Sequence, residues 1–173
     1  MNLRINKALM PILICGILFS GACAAVRIDI NGTVIASPCV VNGGQDSLNV
    51  PLGDSIQADS LSTAGSTTDW ANFKLALTAC PASTSSFSVA FSGMPDTSDN
   101  AKYSNTGTAT NLNLELTTQD GATVLSNGTS IDNVAIPATS HAYDLLLRTR
   151  AVSKGSVMPG TILGQVQATF TYQ

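Results

Sequence analysis

Gly160-Thr161-Ile162-Leu163-Gly164-Gln165-Val166-Gln167-Ala168-Thr169-Phe170-Thr171-Tyr172-Gln173 closes the chain, and its period decides the fold class. Successive side chains of an extended strand point to opposite faces. Ile162, Gly164, Val166, Ala168, Phe170 and Tyr172 therefore share one face, while Leu163, Gln165, Gln167, Thr169 and Thr171 share the other. Such alternation marks a half-buried strand rather than a helix. Because Tyr172 is the penultimate residue, this strand is expected to have no successor.

The same period recurs upstream, in Phe73-Lys74-Leu75-Ala76-Leu77, Phe87-Ser88-Val89-Ala90-Phe91 and Leu112-Asn113-Leu114-Glu115-Leu116. Asn42-Gly43, Asp120-Gly121 and Asn127-Gly128 lie between these runs, and such pairs tolerate the positive φ of tight turns. No long segment repeats its apolar residues at the helical period. The composition, rich in Thr, Ser, Asn, Gly, Val and Ala, predicts an all-β antiparallel sandwich. Leu145-Leu146-Leu147 reads as a strand buried on both faces, and Asp59–Trp70 is the one place for a short helical turn.

At the other end, Arg4 and Lys7 precede an apolar run from Ala8 to Phe19 and the small residues Ala22-Cys23-Ala24. This is the layout of a secretory signal peptide, residues 1–24, with cleavage after Ala24. The run is shorter than the roughly 20 apolar residues a membrane span needs. Lipidation at Cys23 is the rival route, disfavoured by Ser20 where a large aliphatic residue belongs. Cleavage leaves about 150 residues, the size of one domain able to bury a core. Six basic residues then face eleven acidic ones, and this acidic balance argues against nucleic acid, whose binding rests on a positive footprint.

Cys15 and Cys23 leave with the signal, so Cys39 and Cys80 form the one available pair, expected to be oxidised in an exported protein. Closing a loop of about 40 residues stabilises a fold by roughly 4 kcal/mol on the chain-entropy model. That spacing fits no CxxC motif, and a single histidine offers little to a metal. No Gly-x-Ser-x-Gly elbow accompanies His141 and Asp144, so His141 reads as a loop or strand-edge residue and the chain as a non-enzyme without cofactor or small-molecule substrate. Asp96 and Asp99 read as solvated loop carboxylates bonding local backbone. Asn31-Gly32-Thr33 and Asn127-Gly128-Thr129, which match a glycosylation acceptor pattern, read as strand and turn. Trp70 reads as core.

From Ala25 the sequence runs Ala-Val-Arg-Ile-Asp-Ile-Asn-Gly-Thr-Val-Ile-Ala. Val26, Ile28, Ile30, Gly32 and Val34 fall on one face of an extended strand, with Arg27, Asp29, Asn31 and Thr33 opposite. Asn31-Gly32 is also a hairpin signal that would pair Ile28 with Ile35. Apolar parity running unbroken from Val26 to Val34 favours one continuous strand.

These features together resemble the subunits of pili built by the chaperone–usher pathway, most closely a minor or adaptor subunit of type 1 fimbriae. The resemblance spans the mature chain. It rests on the N-terminal alternating extension, Pro38-Cys39, Trp70 leading into Ala79-Cys80-Pro81, and Phe91-Ser92-Gly93. Lys102-Tyr103, Asn105-Thr106-Gly107-Thr108-Ala109 and Asn111-Leu112 add to it, as does the tail with Gly160 fourteenth from the end and Tyr172 penultimate.

The resemblance implies an incomplete immunoglobulin-like sandwich of six strands, occupying residues 37–173, whose missing seventh strand is lent by a periplasmic chaperone. At the outer-membrane usher that loan would be exchanged for the extension of a neighbouring subunit, which is strand addition at a sheet edge. Residues 25–36 would be the donor extension, with Val26, Ile28, Ile30 and Val34 as inserted knobs and Gly32 opposite a shallow part of the groove. Gly160, Ile162, Gly164, Val166, Ala168, Phe170 and Tyr172 would face the chaperone and line the groove. The expected partners are the chaperone, the usher and neighbouring fimbrial subunits, an adhesin among the options. The expected location is the cell-surface fimbria, reached through the periplasm. Adaptor, rod subunit and terminator stay open, as does a free-standing exported immunoglobulin-like binding module.

Overall fold

A computed structural model describes residues 27–173. The segment read as a signal peptide, and Ala25 and Val26 of the expected donor extension, lie outside the described residues. The chain divides into two units, residues 1–33 and 34–173.

In the first unit, Arg27–Thr33 has no regular secondary structure, and Ile28 and Ile30 are exposed. Arg27 and Asp29, two apart on the polar face, form an exposed ion pair at 2.8 Å. A tight Asn-Gly hairpin turn needs positive φ at both central residues, and neither Asn31 nor Gly32 has it.

Residues 34–173 form two sheets. The first contains β1 (Val40–Val41), β2 (Ala71–Thr78), β4 (Tyr103–Ser104), β5 (Thr110–Thr118) and β7 (Tyr143–Met158), in the order β1-β2-β7-β5-β4. The second contains β3 (Ser86–Gly93), β6 (Ser130–Ala135) and β8 (Val166–Tyr172), in the order β6-β3-β8. Every strand pairing is antiparallel. Six strands are long, and β1 and β4 are two-residue additions at the edges of the first sheet.

The alternating runs read from the sequence lie in β2, β3, β5 and β8, and their odd-even pattern sorts core from solvent. Phe87, Val89 and Phe91 of β3 are buried against Leu112, Leu114 and Leu116 of β5 and Leu145 and Leu147 of β7. Phe87 is the hub of the aromatic packing, its ring centroid 5.3 Å from Tyr143 and 5.8 Å from Phe170. The Cys39–Cys80 disulfide is formed and buried, tying the start of the domain to the end of β2. Gly43, Gly121 and Gly128 have positive φ of 64°, 76° and 85°, as their turn pairs predict.

Three readings are corrected. Leu145-Leu146-Leu147 is buried on one face only: Leu145 and Leu147 are enclosed, while Leu146 points outward at 47% exposure. Trp70 is half-buried rather than core. The guanidinium carbons of Arg148 and Arg150 lie 4.2 and 4.1 Å from its ring centroid, so cation–π contact holds it in place of apolar packing. Asp96 is not solvated but buried, its carboxylate held by Lys154 Nζ at 2.8 Å and by the backbone N–H of Ser98 at 2.9 Å. The expected helical turn is a single 3-10 turn, Ala58–Leu61, with Leu61 buried beneath it.

Candidate functional site

The sandwich is open along β8. This strand pairs with β3 from Phe87↔Tyr172 to Gly93↔Val166, and no other strand pairs with it among the described residues. Gln173 and Ser86 exchange both backbone hydrogen bonds, at 2.9 and 3.1 Å. Hydrogen-bonded and non-bonded pairs alternate along an antiparallel ladder, so Thr171, Thr169 and Gln167 also direct their backbone groups to β3. The N–H and C=O groups of Tyr172, Phe170, Ala168 and Val166 therefore face the unpaired edge. Side chains alternate with the same period, so these four residues are also the ones on the strand's inward face.

Beside that edge lies a groove of about 1330 Å³. Its floor is the core itself, with Phe73, Leu75, Leu112, Leu114 and Leu147 reaching it from the first sheet. Phe73 and Leu75 are only half-buried although they sit in the second strand of a five-stranded sheet. A closed sandwich would enclose them. One wall is Gly160–Phe170, and the other is Val41 at the end of β1 with the strandless stretch Asn42–Leu61 that follows it. No charged group stands on the floor. Its one ionisable group, the Tyr103 hydroxyl, is buried without a hydrogen-bond partner, and burial pushes its pKa up to about 12.

The tail differs from its sequence reading in one respect. Strand pairing begins at Val166, so Gly160, Ile162 and Gly164 precede β8 rather than belong to it. They lie in a crossing segment stitched to Asn105–Ala109: Thr106 N–H donates to Leu163 C=O at 2.8 Å, Ala109 N–H to Thr161 C=O at 3.0 Å, and Leu163 N–H to Asn105 Oδ1 at 2.7 Å. The segment lies so close that a Cβ on Gly160 would collide with the backbone of Thr108 and Ala109, and one on Gly107 with that of Thr161. Both glycines are therefore required by backbone approach. Gly160, Ile162, Gly164, Val166, Ala168 and Phe170 all line the groove. Tyr172 does not; its ring stacks on Phe170 at 6.4 Å, and burial raises its pKa.

The opposite wall was missed in the sequence. Leu48, Val50 and Leu52 alternate with Ser47, Asn49 and Pro51, a period-two run that signals an extended apolar edge. Pro51, with no N–H to give a ladder, argues against a paired strand there, and none forms.

His141 and Asp144 do not come together. His141 is a loop residue at φ 46°, its carbonyl accepting from Cys80 N–H at 3.0 Å, while Asp144 pairs with Lys74 at 2.7 Å instead. Among the described residues no three His, Cys, Asp or Glu side chains cluster as metal ligands would.

The class defined here is an immunoglobulin-like sandwich whose core is incompletely covered beside β8, and comparison with known proteins gives its family. The family model for fimbrial proteins matches residues 28–173. Protein FimG of Escherichia coli strain K12 is 36% identical over 149 residues, 86% of each chain. The S-fimbrial adhesin protein SfaS of Escherichia coli O6:K15:H31 strain 536 is 32% identical over 156 residues, 90% of each chain. The fold is similar to that of the P pilus rod subunit PapA, with TM-score 0.65 and 15% identity, covering 79% of this chain and 100% of that one. The chain belongs to the fimbrial protein family. It is a structural subunit of a bacterial surface fimbria, not an enzyme, and it interacts with neighbouring subunits.

Proposed function

We propose that this subunit polymerises by donor-strand exchange, as a minor or tip-adaptor component of its fimbria. Residues 37–173 form the acceptor domain and residues 25–36 the donor extension. The observation that carries this reading is the unpaired edge of β8 above a groove whose apolar floor leaves Phe73 and Leu75 only half-buried. A strand laid there would accept and donate hydrogen bonds at Val166, Ala168, Phe170 and Tyr172, and its alternate side chains would cover Phe73 and Leu75. Ile28, Ile30 and Val34 suit the donor role, because all three are exposed at 79%, 90% and 99%.

Burying about four aliphatic side chains at roughly 1.5–3 kcal/mol each contributes on the order of 6–12 kcal/mol. Each new backbone hydrogen bond adds roughly 0.5–1.5 kcal/mol. A joint of that strength opens too rarely to matter in a fibre's lifetime. The same groove, left empty, exposes apolar core, so the subunit needs a periplasmic chaperone strand during transit and an outer-membrane usher to direct the exchange. The adaptor position is supported by the sequence resemblance.

The test is to purify the chaperone-bound subunit and offer synthetic extensions, one covering residues 25–38 and others taken from co-assembled subunits. Selective exchange with another subunit's extension is expected. Rapid exchange with its own extension would mark a self-polymerising rod subunit instead, and exchange with none would overturn strand donation.

A further inference from the structure

The chain contains three Asn-Gly pairs, and their surroundings differ in a way that matters to their chemistry. At Asn127-Gly128 both reacting groups are occupied: Asn127 Oδ1 accepts from Gly93 N–H at 3.1 Å, and Gly128 N–H donates to Phe91 C=O at 2.8 Å. At Asn42-Gly43 the asparagine is at φ 47° inside a hydrogen-bonded 3-10 turn, its Nδ2 donating to Ser47 C=O at 3.3 Å. Asn31-Gly32 has none of this. Both residues are exposed and belong to no regular element, and a Cβ on Gly32 would meet nothing within 4 Å. No hydrogen bond engages the Asn31 side chain among the described residues.

An asparagine followed by glycine can cyclise, because the missing Cβ lets the glycine amide nitrogen approach the asparagine side chain. Here the deprotonated Gly32 nitrogen attacks Asn31 Cγ, forming the N–Cγ bond. The Cγ–Nδ2 bond then breaks and Nδ2 leaves as ammonia, having taken up a proton. Water opens the resulting succinimide at either carbonyl. Opening at the backbone carbonyl gives isoaspartate, in which the chain runs through the side chain and gains one methylene; opening at Cγ gives aspartate. A strand-paired backbone holds the glycine nitrogen away from Cγ and blocks the first step.

We propose that Asn31-Gly32 is a site of spontaneous deamidation in the free extension, and that its isoaspartate product withdraws the subunit from assembly. The second half rests on the donor-strand reading. Asn31 sits on the polar face, so aspartate there adds a charge beside Asp29 without disturbing the apolar row. Isoaspartate does more. The extra backbone atom breaks the period of two, so Val34 no longer falls on the face of Ile28 and Ile30. Unassembled subunits thus carry a limited lifetime as donors, while an extension already inserted in a neighbour is protected.

The test ages the chaperone-bound subunit and, in parallel, assembled fibres at neutral pH, then maps isoaspartate by peptide mass spectrometry and enzymatic methyl acceptance. Isoaspartate is expected at Asn31 in the free subunit, several-fold ahead of Asn42 and Asn127, several-fold less in fibres, and at background in Gly32→Ala. Equal conversion at all three pairs, or equal conversion in fibres, would overturn the site assignment. A second arm offers acceptor grooves three peptides covering residues 25–38: native, Asn31→Asp, and isoaspartate at position 31. Native and Asn31→Asp insertion with loss of isoaspartate insertion is expected. If native and isoaspartate peptides insert equally, the lifetime proposal fails while donation stands; if the native peptide inserts nowhere, the donor-strand reading itself fails.

Discussion

Replacing Ile30 by Asp separates the two places where this residue can matter. In its own unit Ile30 is 90% exposed. A surface substitution of that kind changes folding stability by about 0.5 kcal/mol or less. In a neighbour's groove it would lie over apolar floor, where losing an aliphatic side chain forfeits roughly 1.5–3 kcal/mol. Placing an unpaired carboxylate there costs roughly 2 kcal/mol more even when water partly follows it. The total, about 4 kcal/mol, is roughly a thousandfold in the insertion equilibrium. The assay is a pair of measurements on Ile30→Asp: the denaturation midpoint of the chaperone-bound subunit, and competition of mutant against native extension peptide for acceptor grooves. An unchanged midpoint with insertion lost is the expected result. A lowered midpoint would mean that Ile30 belongs to its own domain's core, and normal insertion would mean that the apolar face of the extension is not what the groove reads.

Two further outcomes follow from the domain alone. Gly160→Ala puts a methyl group against the backbone of Thr108 and Ala109, and is expected to lower stability by about 1–3 kcal/mol, read as a fall in urea midpoint, by prying the crossing segment away. Asp96 titrates at about 2: burial alone would raise its pKa, but hydrogen bonds from Lys154 and Ser98 outweigh it. A carboxylate depressed on folding stabilises the domain above its unfolded value near 4 and loses that contribution as pH falls through about 2. On the order of 2 kcal/mol is expected to disappear across that window, and Asp96→Asn is expected to flatten that limb of the stability–pH curve.

The sequence was most legible where local period and tertiary environment agree. Phe87-Ser88-Val89-Ala90-Phe91 alternates because one face of β3 meets the core and the other meets solvent, and its buried residues are the odd-numbered ones. The dense run at Leu145 misled because Leu146 is an exposed leucine, which hydropathy cannot distinguish from a buried one. Trp70 misled for the reverse reason: its partners Arg148 and Arg150 are far along the chain, and only the β2–β7 pairing brings them to its ring. The groove was half legible. Its β8 wall announced itself through alternation, whereas Leu48-Asn49-Val50-Pro51-Leu52 carries the same period but pairs with no strand, Pro51 having no N–H for a ladder. Floor residues such as Phe73 and Leu75 read simply as core, and a single sequence cannot show that core is left uncovered.

On the donor-strand proposal β8 presents an edge that a neighbour's extension completes, and backbone amide hydrogen exchange tests this residue by residue. In the unassembled domain, with any chaperone strand removed, the amides of Gln167, Thr169 and Thr171 bond to β3 and should exchange slowly. Those of Val166, Ala168, Phe170 and Tyr172 face the open edge and should exchange fast. In the fibre the second set should become as protected as the first. Slow exchange at all seven in the lone domain, or no gain at Val166, Ala168, Phe170 and Tyr172 on assembly, would contradict the account.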